Sequence, residues 1–142
     1  MSHAGKCNCG AITAKIAGEP MATRQCWCRQ CQKASSGGPS NNATFRADEV
    51  KFAGELATFG YPAASGNTLT MGFCPKCGTQ ITAQSSARPQ LLTLRIGFLD
   101  EPHGLAPTVA IWTSEAPAWA KIDPAMESWP QQPPPPPQPA GG

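Results

Sequence analysis

Seven cysteines in 142 residues, none standing apart from another, constrain this chain more than any other feature. They fall into C-x-C-G at Cys7 and Cys9, C-x-C-x-x-C at Cys26, Cys28 and Cys31, and C-P-x-C-G at Cys74 and Cys77. Two thiolates three positions apart can share one metal across a tight turn. Pro75 pre-sets that turn and Gly78 allows the positive φ that follows it. Cys7 and Cys9, with Gly10 behind them, can form a second two-ligand knuckle. The four sulfurs together fill a tetrahedral structural zinc site and would staple the N-terminal region to the middle of the chain. Buried free thiols or a disulfide pair are the alternatives for these four.

The middle cluster is one ligand short of closure. A zinc held by Cys26, Cys28 and Cys31 alone keeps a position for water or an incoming thiol, which separates catalytic from structural zinc. Arg29 and Lys33 flank the trio and could offset its charge or meet a substrate carboxylate. Three alternatives stay open. One sulfur of the trio could serve the first metal, His3 or His103 could supply a fourth ligand, or the trio could be a metal-free redox set. Each histidine is expected at the surface, His3 in a mobile terminus and His103 in a loop.

The rest of the chain predicts a mainly β domain with little helix. Only 14% of residues are charged, while 16 are Pro and 14 are Gly, so turns must be frequent and long helices scarce. Strands are expected over 11–17, 44–52, 69–73, 79–83, 91–98 and 109–112. Over 91–98, Leu92, Leu94 and Ile96 fall on one face and Thr93 and Arg95 on the other. A short helix is expected over 28–35, ended by Ser36, Gly37, Gly38 and Pro39. Residues 1–129 read as one two-zinc domain. The stretch 130–142, with five consecutive prolines, reads as a disordered polyproline-like tail that could bind a protein partner.

Seven thiolates and two divalent ions would bring the formal charge of +2 to about −1. That is no field for nucleic acid or an anionic membrane, so neither is an expected partner. No apolar run approaches a membrane span. The first cysteines arrive too early for a secretory signal, and dense unpaired thiols suit a reducing compartment, so the expected location is cytoplasmic.

Taken in order, the clusters resemble the glutathione-dependent formaldehyde-activating enzyme family, which includes centromere protein V. The resemblance is carried by K-C-N-C-G-A-I at 6–12, C-W-C-R-Q-C-Q-K-A-S at 26–35 and F-C-P-K-C-G-T at 73–79. I-G-F-L-D at 96–100 and I-W-T-S-E-A-P-A-W at 111–119 are similar to the family's late segments. The resemblance implies a zinc-stapled β-tent of small antiparallel sheets. It implies a structural zinc on Cys7, Cys9, Cys74 and Cys77, and a labile or catalytic zinc on Cys26, Cys28 and Cys31. The implied activity is that of a carbon–sulfur lyase on glutathione or another small thiol, joining it to formaldehyde as S-hydroxymethylglutathione. Trp27 and Ala110 stand where many relatives carry His. A non-catalytic zinc scaffold and a thiol redox sensor are the competing classes of function.

Overall fold

Short β-prone stretches cut by Gly and Pro produce short strands, and the computed structural model, which describes residues 2–134, contains eleven among them. In chain order these are β1 (His3–Lys6), β2 (Thr13–Ile16), β3 (Ala22–Cys26), β4 (Ser40–Arg46), β5 (Val50–Ala53) and β6 (Ala57–Pro62). They continue as β7 (Thr68–Phe73), β8 (Gln80–Ser85), β9 (Leu91–Arg95), β10 (Val109–Ile111) and β11 (Glu127–Ser128). One six-residue helix, α1 (Arg29–Ala34), follows the trio. The protein is mainly β, as its composition predicts.

Two sheets share the strands. β1, β2 and β5 form an antiparallel three-stranded sheet. The other eight run in the order β11-β10-β3-β4-β9-β8-β7-β6. Its pairings are antiparallel from β3 to β6, whereas β10 lies parallel to both β3 and β11. The core packs the small sheet against one face of the large one, with Ile12, Ile16, Phe45, Ile81, Leu94 and Phe98 almost wholly enclosed.

Alternation along the central strands sorts side chains to opposite faces. Ala43 pairs with Leu94 and Phe45 with Leu92 on the core face. Asn42 pairs with Arg95 and Thr44 with Thr93 on the other. That second face is hollow, and it lines a cleft rather than lying flat to solvent. The pattern over 91–98 is therefore read correctly as far as Arg95. Beyond it the chain tightens into a 3-10 turn, Ile96–Phe98, which turns Phe98 into the core.

The segment expected to begin a free tail at 130 starts with contacts. The carbonyl of Pro130 accepts from the Ser114 amide and hydroxyl, and that of Gln131 from the Trp112 amide. Residues 135–142, with the end of the proline run, lie outside the described residues. Among the described residues no helix is long and apolar enough to cross a membrane.

Candidate metal centres and cleft

The loop between β1 and β2 carries Cys7 and Cys9, and the turn between β7 and β8 carries Cys74 and Cys77. The two loops are built alike. The Gly10 amide closes on the Cys7 carbonyl at 3.0 Å, and the Gly78 amide on the Cys74 carbonyl at 2.9 Å. The amides of Cys7 and Cys74 donate to the carbonyls of Ile12 and Thr79. Gly10 and Gly78 have φ of 82° and 78°, and a Cβ at either would meet open space. Glycine is required there for its backbone angle and not for room. The Asn8 amide, donating to the Thr79 hydroxyl at 3.1 Å, ties one loop to the other.

All four sulfurs lie within 4.8 Å of one another. Cys7 Sγ and Cys9 Sγ are 3.7 Å apart, and Cys9 Sγ and Cys74 Sγ 3.8 Å. A tetrahedron with zinc–sulfur bonds of about 2.3 Å has edges of about 3.8 Å, so these separations fit one metal. Amides of Ile12 and Lys76 point at the sulfurs of Cys7 and Cys74 at 3.3 and 3.4 Å, as partners of a thiolate should. Hydrogen bonds from the Thr79 hydroxyl and amide hold Cys77 down to about 5. Cys7 and Cys74 are buried in the core itself. A metal here would join the small sheet to the large one.

The trio sits at the opposite face. Cys26 ends β3, Cys28 caps α1 by accepting from the Cys31 amide at 3.4 Å, and Cys31 lies one turn into that helix. Their sulfurs also lie within 4.8 Å of one another, with no histidine or carboxylate joining them among the described residues. The three thiols share charge unequally. Cys31 is held down to about 2, first by the neighbouring Cys26 and Cys28 thiols, and further by the Ser40 hydroxyl and the Arg95 charge. Cys26 is pushed far up by Cys28 and Cys31, and Cys28, although the Cys26 thiol acts to lower it, is pushed up by Cys31 and by burial. Three thiolates this close need a cation to be charged together, so the donor set and its geometry suit a soft divalent metal.

A buried relay backs the trio. Arg95 donates to the Asn42 side-chain oxygen, the Asn42 side-chain NH2 donates to the Ser40 hydroxyl at 2.9 Å, and Ser40 donates to the Cys31 sulfur at 2.9 Å. Gln32, 2% exposed, donates to the carbonyls of Trp27 and Glu115, and the Glu115 carboxylate accepts from the Arg29 amide. These bonds lock α1 onto the 3-10 turn Thr113–Glu115.

Cys26, Cys28 and Cys31 open onto the hollow of the large sheet, a cleft of about 240 Å³. That lies just below the usual range of ligand sites, roughly 300–1,000 Å³, and limits the cleft to a small molecule. Arg24, Arg88 and Arg95 line it, as do Tyr61 and Trp112. Trp112 holds a left-handed backbone, φ 56°, which is rare for a bulky residue and recurrent at functional sites.

Four expectations need correction. Arg29 and Lys33 do not line the cleft, and Arg29 instead donates to Gln32. Neither histidine lies at the surface. The His3 side chain, 6% exposed, sits in β1 against Phe45 and pairs with Glu19, and that of His103, 8% exposed, pairs with Glu101. Both histidines are spent on these contacts and neither joins a sulfur set. Trp27 and Ala110 are buried away from the cleft, Trp27 with its indole N–H on the Gln25 side-chain oxygen at 3.0 Å. The cleft arginines were missed because one arginine in a strand looks like any other. The signal available was period two, which puts Arg24 on the face of Cys26.

Two sulfur sets of metal-binding size on one mainly β frame, one rooted in the core through Cys7 and Cys74 and one facing a cleft, define a class of cysteine-rich β domain. The chain belongs to the glutathione-dependent formaldehyde-activating enzyme family, whose sequence model matches residues 2–115. The fold is similar to that of a Rhodobacter sphaeroides protein solved by crystallography as a Northeast Structural Genomics target. The TM-score is 0.57 at 17% identity, over 89% of this chain and 98% of that one. Comparison with curated protein sequences gives no match. The family's name points to glutathione-related formaldehyde activation, and both cysteine sets could bind metal.

Proposed function

We propose that the chain is a zinc-dependent carbon–sulfur lyase acting on adducts of glutathione, forming or cleaving S-hydroxymethylglutathione. Cys7, Cys9, Cys74 and Cys77 would hold a structural zinc, and Cys26, Cys28 and Cys31 a second, catalytic one. The observation that carries this reading is the opening of a three-sulfur set, and of no other ligand type, onto a cleft of small-molecule size. Zinc bound there would supply an open position that holds an incoming thiol as thiolate or polarises a carbonyl.

The chain's own residues do the rest. The sulfur of the substrate thiolate attacks the formaldehyde carbon, a carbon–sulfur bond forms, and the carbonyl pair moves to oxygen, which takes a proton. Tyr61 lines the cleft and keeps its proton, because burial and the negative sulfurs push it up to about 12. Its O–H can therefore donate to that oxygen. Ser40 and Arg95 hold Cys31 in place while charge at the trio changes. Cleavage runs through the same contacts in reverse.

Proton NMR of glutathione with formaldehyde, with and without zinc-replete protein, tests the proposal. Adduct exchange should accelerate well above background. No acceleration at full zinc occupancy would sink the named reaction. A mild chelator should remove one zinc and leave a folded protein, whereas two equally resistant zincs would favour a scaffold.

A further inference from the structure

Away from the sulfurs, the charged side chains lining the cleft are all cationic. Among its lining residues are three arginines and no aspartate or glutamate. Arg95 is occupied, bonded to Asn42 and to the Met71 sulfur at 3.4 Å, and its charge acts on Cys31. Arg24 and Arg88 have neither a side-chain hydrogen bond nor a carboxylate partner among the described residues. Arg88 alone, exposed on the turn between β8 and β9, would be an ordinary solvated charge. Arg24 is different, being half-buried in β3 between Asn42 of β4 and Val109 of β10. A guanidinium kept partly from water without an anion is costly, and a ligand carboxylate would relieve it.

Their order along the cleft gives direction. Cys26 and Arg24 lie on one face of β3, two residues or about 6.6 Å apart. The register of β3, β4 and β9 puts Cys26, Ser40 and Arg95 toward one end of the hollow and Leu91 toward the other, with Arg88 just beyond Leu91. A ligand would thus meet sulfur at the inner end, then Arg24, then Arg88 at the mouth. With two positive ions' worth of charge unmatched, the cleft suits a thiol trailing two carboxylates.

We infer that Arg24 and Arg88 are the specificity-determining residues of the cleft, each taking one carboxylate of a dicarboxylate, peptide-like thiol whose sulfur points to the trio. This rests on the trio being the thiol site. It adds which residues of this chain select the substrate. Neither Arg29 nor Lys33, the cations nearest the trio in sequence, can play that part, because neither lines the cleft.

Calorimetry with S-methylglutathione tests the inference, since a thioether brings both carboxylates without a reactive thiol. Zinc-replete protein should bind it, and Arg24→Met and Arg88→Met should each weaken binding about tenfold, the usual scale for one charge-assisted contact. The diethyl ester of the same probe should bind the wild type more weakly, and both variants should bind that ester no worse than the wild type does. Circular dichroism checks folding. Should Arg24→Met misfold, Arg88→Met on its exposed turn decides. The inference falls if the wild type does not bind S-methylglutathione, if acid and ester bind alike, or if Arg88→Met keeps wild-type affinity. Arginine-dependent binding without accelerated adduct exchange would retain the inference and lose the reaction. Acceleration with binding indifferent to both arginines would do the opposite.

Discussion

The Ser40 hydroxyl lies 2.9 Å from the Cys31 sulfur and donates to it, while accepting in turn from the Asn42 side-chain NH2. Ser40 is 4% exposed, so this contact is isolated from competing water. Partners that orient a metal ligand are worth about 10- to 100-fold in metal affinity. Ser40→Ala is therefore expected to weaken zinc binding at the trio by at least about tenfold while sparing the four-sulfur site. Competition with a chromophoric chelator should show one site shifted and one unmoved. Equal affinity in variant and wild type would remove Ser40 from the site.

The two sulfur sets should differ in what their loss does. If the four sulfurs hold the proposed structural zinc, Cys77→Ala removes one of its ligands and the variant is expected to unfold at far lower denaturant, because metal-binding energy there is folding energy. Cys28→Ala touches a cleft wall and should melt near the wild type while losing one equivalent of zinc. Equal destabilisation by both would show that the trio is structural.

Acid should reach the thiols in a defined order once zinc is removed. Cys77, held at about 5 by Thr79, stays a thiolate at pH 6, while Cys9, raised to about 11 by burial and its sulfur neighbours although the Ala11 amide is its largest contact and acts to lower it, does not. The thiolate is the reactive form. Iodoacetamide at pH 6 should label Cys77 well before Cys9, as read by peptide mass spectrometry, and Thr79→Val, which loses the hydroxyl but keeps the amide, should narrow the lead. A folded value below the unfolded one means the contribution to stability is whole above about 9, falls as pH drops toward about 5, and is gone below that.

Gln32 fastens α1 to the 3-10 turn at 113–115. Gln32→Leu would strand the buried carbonyls of Trp27 and Glu115 and is expected to cost about 2–3 kcal/mol by denaturant unfolding. A loss below about 0.5 kcal/mol would mean that water replaces both bonds.

Much of this was legible because cysteine spacing is local chemistry. The knuckles at Cys7 and Cys74 need only a turn, a glycine and two sulfurs, so their form can be read from four or five residues. The strand over 91–95 was equally plain, since alternation carries its own face assignment. β1, β3 and β6 were not expected, because H-A-G-K, A-T-R-Q-C and A-T-F-G-Y-P show little apolar alternation, and their pairing comes from neighbours distant in sequence. The helix was placed within a residue at each end, its start set by the Cys28 sulfur as cap. The site was harder. Proximity in sequence favoured Arg29 and Lys33 as anion contacts, but a helix and a strand point neighbouring residues in different directions. The cleft instead draws arginines from β3, β9 and the turn before β9, three places no local pattern connects.

The division of β9 and β4 into a core face and a cleft face has a consequence for how such a chain can change. A one-residue insertion or deletion in either strand would carry every side chain across the sheet, sending Arg95 and Asn42 into the hydrocarbon interior and Leu94 and Ala43 into the cleft. Fold and site would be lost in one event. Turns such as the one bearing Arg88 can instead change in length, and there the mouth of the cleft could be reshaped without disturbing the sulfurs at its inner end.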